Sequence, residues 1–225
     1  MSAYPNIMFL DTGELNQTHN LAQVVEVFPK LGFEIVQTKV RGNLYEWNNE
    51  NKMQILADAA REKQLSLQCV NSDIEFEITQ DVNWNVEELG NQNRAWIQTS
   101  TFSTAYFWNS IETSEKYSKL LLAIGTELYN ILKPSFGWID FNFGIYTSHE
   151  DIETVKLPAL YWANFFGPRY VNMLGEHKIL NAPAWKLDRL LDEGYLYVLA
   201  SGLGLSHDLV PSETVKAYFG IQKVR

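Results

Sequence analysis

The sequence has little cysteine and lacks a hydrophobic run long enough to cross a membrane. Cys69 is the single cysteine among 225 residues, which excludes a disulfide framework and a zinc site built from cysteines. The longest apolar stretches, near residues 120–122 and 161–166, are far shorter than the roughly 18 residues that a membrane-spanning helix needs. The N-terminus also lacks the basic flank and apolar run of a secretory signal peptide. These absences predict a soluble protein of the reducing cytoplasm.

Basic side chains are scarce relative to acidic ones: 18 Lys and Arg stand against 27 Asp and Glu, giving a net charge of −9. Nucleic acids and anionic membranes are bound by clustered Lys and Arg, so neither is an expected partner. From Gln64 to Asn93 there is no Lys or Arg, while six acidic residues occur there: Asp73, Glu75, Glu77, Asp81, Glu87 and Glu88. This segment is either a solvated face that keeps the protein soluble or a docking surface whose field attracts a basic protein.

Sequence motifs for common catalytic and cofactor sites are also lacking. There is no Walker A loop, no G-x-S-x-G elbow and no H-E-x-x-H motif. The segment Gly202–Leu205 imitates the start of a dinucleotide fingerprint, but His207 stands where the third glycine belongs. Cys69 falls on the apolar face of a predicted strand. The four histidines have no metal-ligand spacing: His19, His149, His177 and His207. We therefore expect no metal and no cofactor.

The residues that are present predict an α+β fold. Apolar positions at helical spacing indicate helices near residues 21–31, 51–64 and 117–131, and a short one at 212–218. In the second of these helices, Met53, Leu56, Ala57 and Ala60 form the apolar stripe. Apolar and polar residues alternate strictly over Leu65–Cys69 and Ile74–Ile78, which indicates a hairpin with one solvent-exposed face. The chain is thus expected to form a mainly antiparallel sheet with helices packed on one face.

Further strands are predicted at residues 4–10, 33–40, 95–101 and 136–143, with a second hairpin formed by residues 185–190 and 195–200. The aromatic segment Leu157–Leu174 is predicted to be partly helical and interrupted at Gly167-Pro168. Gly125, beside the apolar stripe of its helix, indicates a close backbone approach. No repeat or linker divides the chain. We therefore predict a single domain over residues 1–225, with two closely packed halves dividing near residues 102–110 as the alternative.

One predicted strand carries a carboxylate beside an aromatic ring. In the strand at residues 136–143, alternation places Trp138, Asp140 and Asn142 on the face opposite Ile139 and Phe141. Such a face can bind a sugar or a peptide. The alternative is the second face of a sheet, partly covered by a loop.

The segment Leu160–Gly175 resembles a stretch found in bacterial immunity proteins of type VI secretion and polymorphic toxin systems, including the family called immunity protein 52. The shared features are a tryptophan, here Trp162, an aromatic-Gly-Pro step at residues 166–168, and a later glycine, Gly175. The resemblance spans roughly the C-terminal 100 residues, through Asp192-Glu193-Gly194 and weakly upstream through residues 128–129 and 134–138. It implies an α+β protein without catalytic residues that neutralises a cognate toxin by direct contact.

Two functional hypotheses follow. The first is a non-catalytic binding protein of immunity type, whose candidate contact residues are the six acidic residues of the 73–88 segment together with Trp138 and Asp140. The second is a hydrolase or lyase that uses Asp140 with a histidine from another part of the fold: His149, His177 or His207.

Overall fold

The structure is a computed structural model. It describes residues 5–10, 17–62, 64–71, 75–81, 94–99, 107, 109–141, 157, 159–205 and 209–221, with the backbone alone for residues 75–81, 94–99 and 212. Of the candidate site residues, Asp73, Glu87, Glu88, His149 and His207 lie outside the described part. Within that part, no helix combines the length and the apolar character that a membrane crossing requires.

One sheet of ten strands runs through the described part of the molecule, in the order β3-β2-β4-β5-β6-β1-β7-β8-β10-β9. Every neighbouring pair is antiparallel. Strand β1 lies at the centre and joins strands from the first part of the chain to strands from the second. The strands are β1 (Pro5–Leu10), β2 (Glu34–Val40), β3 (Asn43–Tyr45), β4 (Gln64–Val70), β5 (Glu75–Asp81), β6 (Arg94–Thr99), β7 (Phe136–Phe141), β8 (Ala163–Phe166), β9 (Lys186–Arg189) and β10 (Tyr195–Val198).

Six helices accompany these strands in the described residues: α1 (Thr18–Lys30), α2 (Lys52–Glu62), α3 (Ile111–Leu132), α4 (Pro168–Leu174), α5 (Glu176–Leu180) and α6 (Ser212–Phe219). Local chemistry sets several of their ends. Pro29 lies in the last turn of α1, which ends one residue later. The Ser110 side chain caps α3 by accepting a hydrogen bond from the Thr113 amide, and Lys133 ends that helix in a left-handed conformation just before Pro134.

The two faces of the sheet are covered by different helices. Helices α1, α2 and α3 pack on the first face, where α3 contacts β1 and β7 while α1 and α2 contact β2, and this core includes Ile7 and Phe9 of β1. Helices α4, α5 and α6 pack on the second face, in the core that includes Met8 and Leu10 of the same strand. The prediction of a mainly antiparallel α+β fold is confirmed. The three longest helices share one face as expected, but the short helices cover the other face, so the prediction of helices packed on one face is wrong. The physical reason is that the central strands are apolar on both sides, so both sides are covered.

Both predicted hairpins are present. Strands β4 and β5 pair with Leu67 opposite Ile78 and Cys69 opposite Phe76, and β9 pairs with β10 along its whole length. The close approach predicted at Gly125 is confirmed as well. A Cβ atom built on Gly125 would stand 2.8 Å from the Phe165 ring and 3.0 Å from the end of the Ile139 side chain.

Two local predictions are wrong. In α2 the buried residues are Ile55, Leu56, Ala59 and Ala60, and Met53 is 55% exposed, because the helix is turned by about one position relative to the predicted stripe. The aromatic segment Leu157–Leu174 is partly helical as predicted, since Pro168–Leu174 form α4, but residues 163–166 form strand β8 and Gly167-Pro168 begins the helix rather than interrupting it. Adjacent Phe165 and Phe166 point into opposite cores, an arrangement typical of a strand buried on both faces.

Candidate functional site

Three of the acidic candidates lie on one strand and one face of the sheet. In β5, positions 76 and 78 pair with Cys69 and Leu67, whose side chains belong to the first-face core. Glu75, Glu77 and Asp81 therefore occupy the second face. Their partners on β4 are uncharged: Val70, Gln68 and Gln64. Glu75 and Glu77 are two residues apart, about 6.6 Å along the strand.

Basic positions on this face lie away from the Glu75–Glu77 end. In strands β2 to β6 these positions are Lys39 and Arg94. Lys39 on β2 pairs with Ser66 on β4, which pairs with Thr79 on β5, so Lys39 lies two strands away from β5. Asp81 pairs with Trp96, which places Arg94 diagonal to Asp81 and beyond the end of β5. Among the described strands, the second face is thus most acidic around Glu75 and Glu77.

Trp138, the aromatic candidate, belongs to the core of the second face. Its side chain is 5% exposed, and its ring stacks on the Tyr161 ring with centroids 4.6 Å apart and planes 10° apart. The Asn164 side chain holds the backbone of Tyr161 in turn. Its Oδ1 atom accepts a hydrogen bond from the Tyr161 backbone N–H at 3.0 Å, and its Nδ2 atom donates one to the Tyr161 carbonyl at 2.8 Å. The position of Trp138 therefore supports the start of β8 and leaves little of its ring for a partner to contact.

Asp140 lies on the same face as Trp138, as predicted, and is partly buried. One carboxylate oxygen accepts the Phe141 amide at 2.7 Å, and the other accepts the Trp162 amide at 3.0 Å. Burial raises the pKa of Asp140 to about 6, and these two hydrogen bonds act against that rise. The carboxylate thus ties β7 to the segment that enters β8.

Asn6, opposite Asp140, was missed by sequence reasoning. The register places Asn6 between Asp140 on β7 and Gln98 on β6, in the middle of the sheet. Its side chain is 5% exposed, and within the described structure its Oδ1 atom has no hydrogen-bond partner. A single polar residue inside an otherwise apolar strand is the signal that could have drawn attention to it.

The other candidate chemical groups are spread over the molecule. His19 and His177 are exposed, on α1 and α5 respectively. Cys69 is fully buried, and burial raises the pKa of its thiol to about 12, so it stays protonated at neutral pH. Among the described residues, no group of three or more His, Cys, Asp or Glu side chains is arranged to hold a metal ion.

Comparison of the sequence with models of known protein families and with curated proteins found no match.

Replacing Asp140 with Asn tests the electrostatic account of this carboxylate. The folded-state pKa of about 6 exceeds the ordinary value of 3.8, so folding favours the protonated acid and the ionised acid costs stability. Wild-type stability should therefore fall, relative to Asp140→Asn, as the pH rises from about 4 through about 6, by up to about 3 kcal/mol. Urea unfolding of both proteins between pH 4 and 8 measures this difference. If the unfolding free energies of the two proteins depend on pH in the same way, burial does not raise the pKa of Asp140.

Proposed function

We propose that the protein is a non-catalytic binding protein of the cytoplasm that neutralises a basic, toxin-like protein by direct contact. The observation that carries the proposal is the face of β5, on which Glu75, Glu77 and Asp81 line up opposite uncharged residues of β4. The net charge of −9 adds a longer-range field of the same sign. Together they favour encounter with a basic surface, chiefly through a faster association rate.

A hydrolase or lyase based on Asp140 is the second candidate, and one observation favours it. A carboxyl group with a pKa of about 6 can act as a general acid near neutral pH. Both of its oxygens, however, accept backbone amides, and the bond from the Trp162 amide ties β7 to the segment that enters β8. Asp140 therefore has a structural role in joining the two segments, and we propose binding as the function.

Reversing the charge on β5 tests the proposed contact. The partner for this test is a toxin-like protein encoded by the adjacent gene, in line with the cognate toxin that the resemblance to immunity proteins implies. The double change Glu75→Lys and Glu77→Lys should slow association with this protein by about tenfold or more at low salt. The physical reason is that two attractive charges become repulsive toward a basic partner. Stopped-flow or surface-based kinetics measure the association rate.

The matched control is the double change Glu26→Lys and Glu50→Lys. Both residues are exposed, the change in net charge is the same, and Glu26 lies on α1, over the first face. We expect this control to slow association much less than the β5 variant, and both variants to keep a melting temperature close to that of the wild type. If the two variants slow association equally, the contact is not on β5 and the net charge alone accounts for the effect.

A further inference from the structure

Asn6 and Asp140 are neighbouring polar residues on the second face of the sheet. Asn6 on β1 lies directly opposite Asp140 on β7, and each alternates with residues of the first-face core. Residues paired in this way have Cβ atoms about 4.5–5.5 Å apart. Asn6 is 5% exposed, and within the described structure its Oδ1 atom accepts no hydrogen bond. A buried acceptor without a donor costs stability, so this position lacks a hydrogen-bond donor.

Asp140 lacks a positive charge beside it. Each of its oxygens accepts one backbone amide and retains further acceptor capacity. Among the described residues no cation pairs with this carboxylate, and the sequences of β1, β7 and β8 contain no Lys, Arg or His. Ionised carboxylates removed from water are usually paired with a cation. A group that carries both N–H donors and positive charge would therefore satisfy Asn6 and Asp140 together.

We infer that Asn6 and Asp140 bind one arginine side chain of the basic partner. The inference rests on the proposed function and adds a specific contact to the attraction exerted by β5. A guanidinium group has five N–H donors in a planar fork and no acceptor, so it can donate to Asn6 Oδ1 and to the carboxylate at once. Asp140 keeps part of its surface accessible to solvent, which leaves a route for such a side chain.

The position of this pair fits a partner that also contacts β5. Thr79 on β5, Gln98 on β6, Asn6 and Asp140 pair in succession across four neighbouring strands. Asn6 is thus two strands from Thr79, about 10 Å across the sheet. Glu77 is the next residue of β5 on the same face. One protein surface can therefore contact Glu77 and place an arginine at Asn6.

The test uses the toxin-like protein encoded by the adjacent gene as the probe and the dissociation rate as the readout. Asn6→Leu and Asp140→Asn should each speed dissociation at least about tenfold, since loss of a buried charge contact acts mainly on this rate. Neither change should lower the melting temperature at pH 7. Asn6→Leu replaces an unpartnered acceptor with an apolar group of similar shape, and Asp140→Asn removes a charge that burial disfavours.

The controls make the same chemical changes away from the second face. Asn130 also has an Oδ1 atom without a partner in the described structure, but it is partly exposed and lies on α3, a helix of the first face. Asp188 lies on β9 and pairs with Leu196 of the first-face core. Asn130→Leu and Asp188→Asn should leave the dissociation rate unchanged.

A double-mutant cycle identifies the arginine itself. Each arginine of the probe is changed in turn to glutamine, and each variant is measured against the wild type and against Asp140→Asn. One variant should bind the wild type at least about tenfold more weakly but lose much less toward Asp140→Asn, where the contact is already absent. Wild-type dissociation rates in both Asn6→Leu and Asp140→Asn, or no arginine coupled to Asp140, would overturn the inference while leaving the proposed function standing. Failure of the wild type to bind the probe at all would overturn both.

Discussion

Truncating Leu128 to alanine is expected to lower the free energy of unfolding by about 2–5 kcal/mol. Leu128 is fully buried in α3, where it belongs to the first-face core together with Ile139 and Phe165. Removal of its side chain loses the hydrophobic transfer energy and leaves a cavity that rigid neighbours fill poorly. Denaturant unfolding measures the change.

The control for this prediction is Leu120→Ala on the same helix. Leu120 is only partly buried, so the same chemical change should cost clearly less. An unchanged unfolding free energy for Leu128→Ala would contradict the placement of α3 against the sheet.

Gly167→Ala is expected to destabilise the fold by about 3 kcal/mol or more. A Cβ atom on Gly167 would stand 2.2 Å from the Pro134 carbonyl oxygen and 2.8 Å from the Ser135 carbonyl oxygen. Both are backbone atoms, and the Gly167 amide is hydrogen-bonded to the same Ser135 carbonyl at 2.9 Å. No side-chain rotation can therefore relieve the clash, and β7, β8 or the start of α4 must move.

Gly42→Ala is the matched control for Gly167→Ala. Gly42 has a φ of +80°, and nothing lies within 4 Å of the position that a Cβ atom would take there. Alanine at this position therefore meets conformational strain of about 1 kcal/mol without a clash. Thermal and denaturant unfolding of both variants separate the two effects. If Gly167→Ala unfolds with the same free energy as the wild type, the close approach of residues 134–135 and 167 is wrong.

Much of the fold was predictable because several elements carry their own pattern. The alternation in Leu65–Cys69 and Ile74–Ile78 predicted the β4–β5 hairpin, and the helical spacing from Tyr117 to Ile131 predicted α3. Strand β8 was missed because Phe165 and Phe166 are both apolar, and period-2 alternation disappears in a strand buried on both faces.

The order of strands could not be predicted, since it depends on contacts between distant parts of the chain. Nothing local to Pro5–Leu10 indicates that β1 pairs with both β6 and β7. The same reason limits the prediction of the site. Alternation placed Trp138 and Asp140 on one face, but their burial depends on Tyr161 and Trp162, more than twenty residues further along the chain.

The acidic face of β5 could be read from the sequence, because Glu75 and Glu77 alternate with Phe76 and Ile78. The hairpin of β9 and β10 could also be read from the sequence. The hydrogen bonds from the Tyr129 hydroxyl to the Asp192 carboxylate in its turn could not, because these two residues are separated by 63 positions.

The most direct test of the account is the association rate between the wild-type protein and the product of its adjacent gene, measured at low and high salt. Screening shortens the range of the acidic field from about 10 Å at 0.1 M salt to about 3 Å at 1 M. If the protein attracts a basic partner, the association rate should fall by about tenfold or more across this range, while the dissociation rate changes little. Absence of a complex, or an association rate indifferent to salt, would contradict the proposal that this protein acts by binding a basic protein.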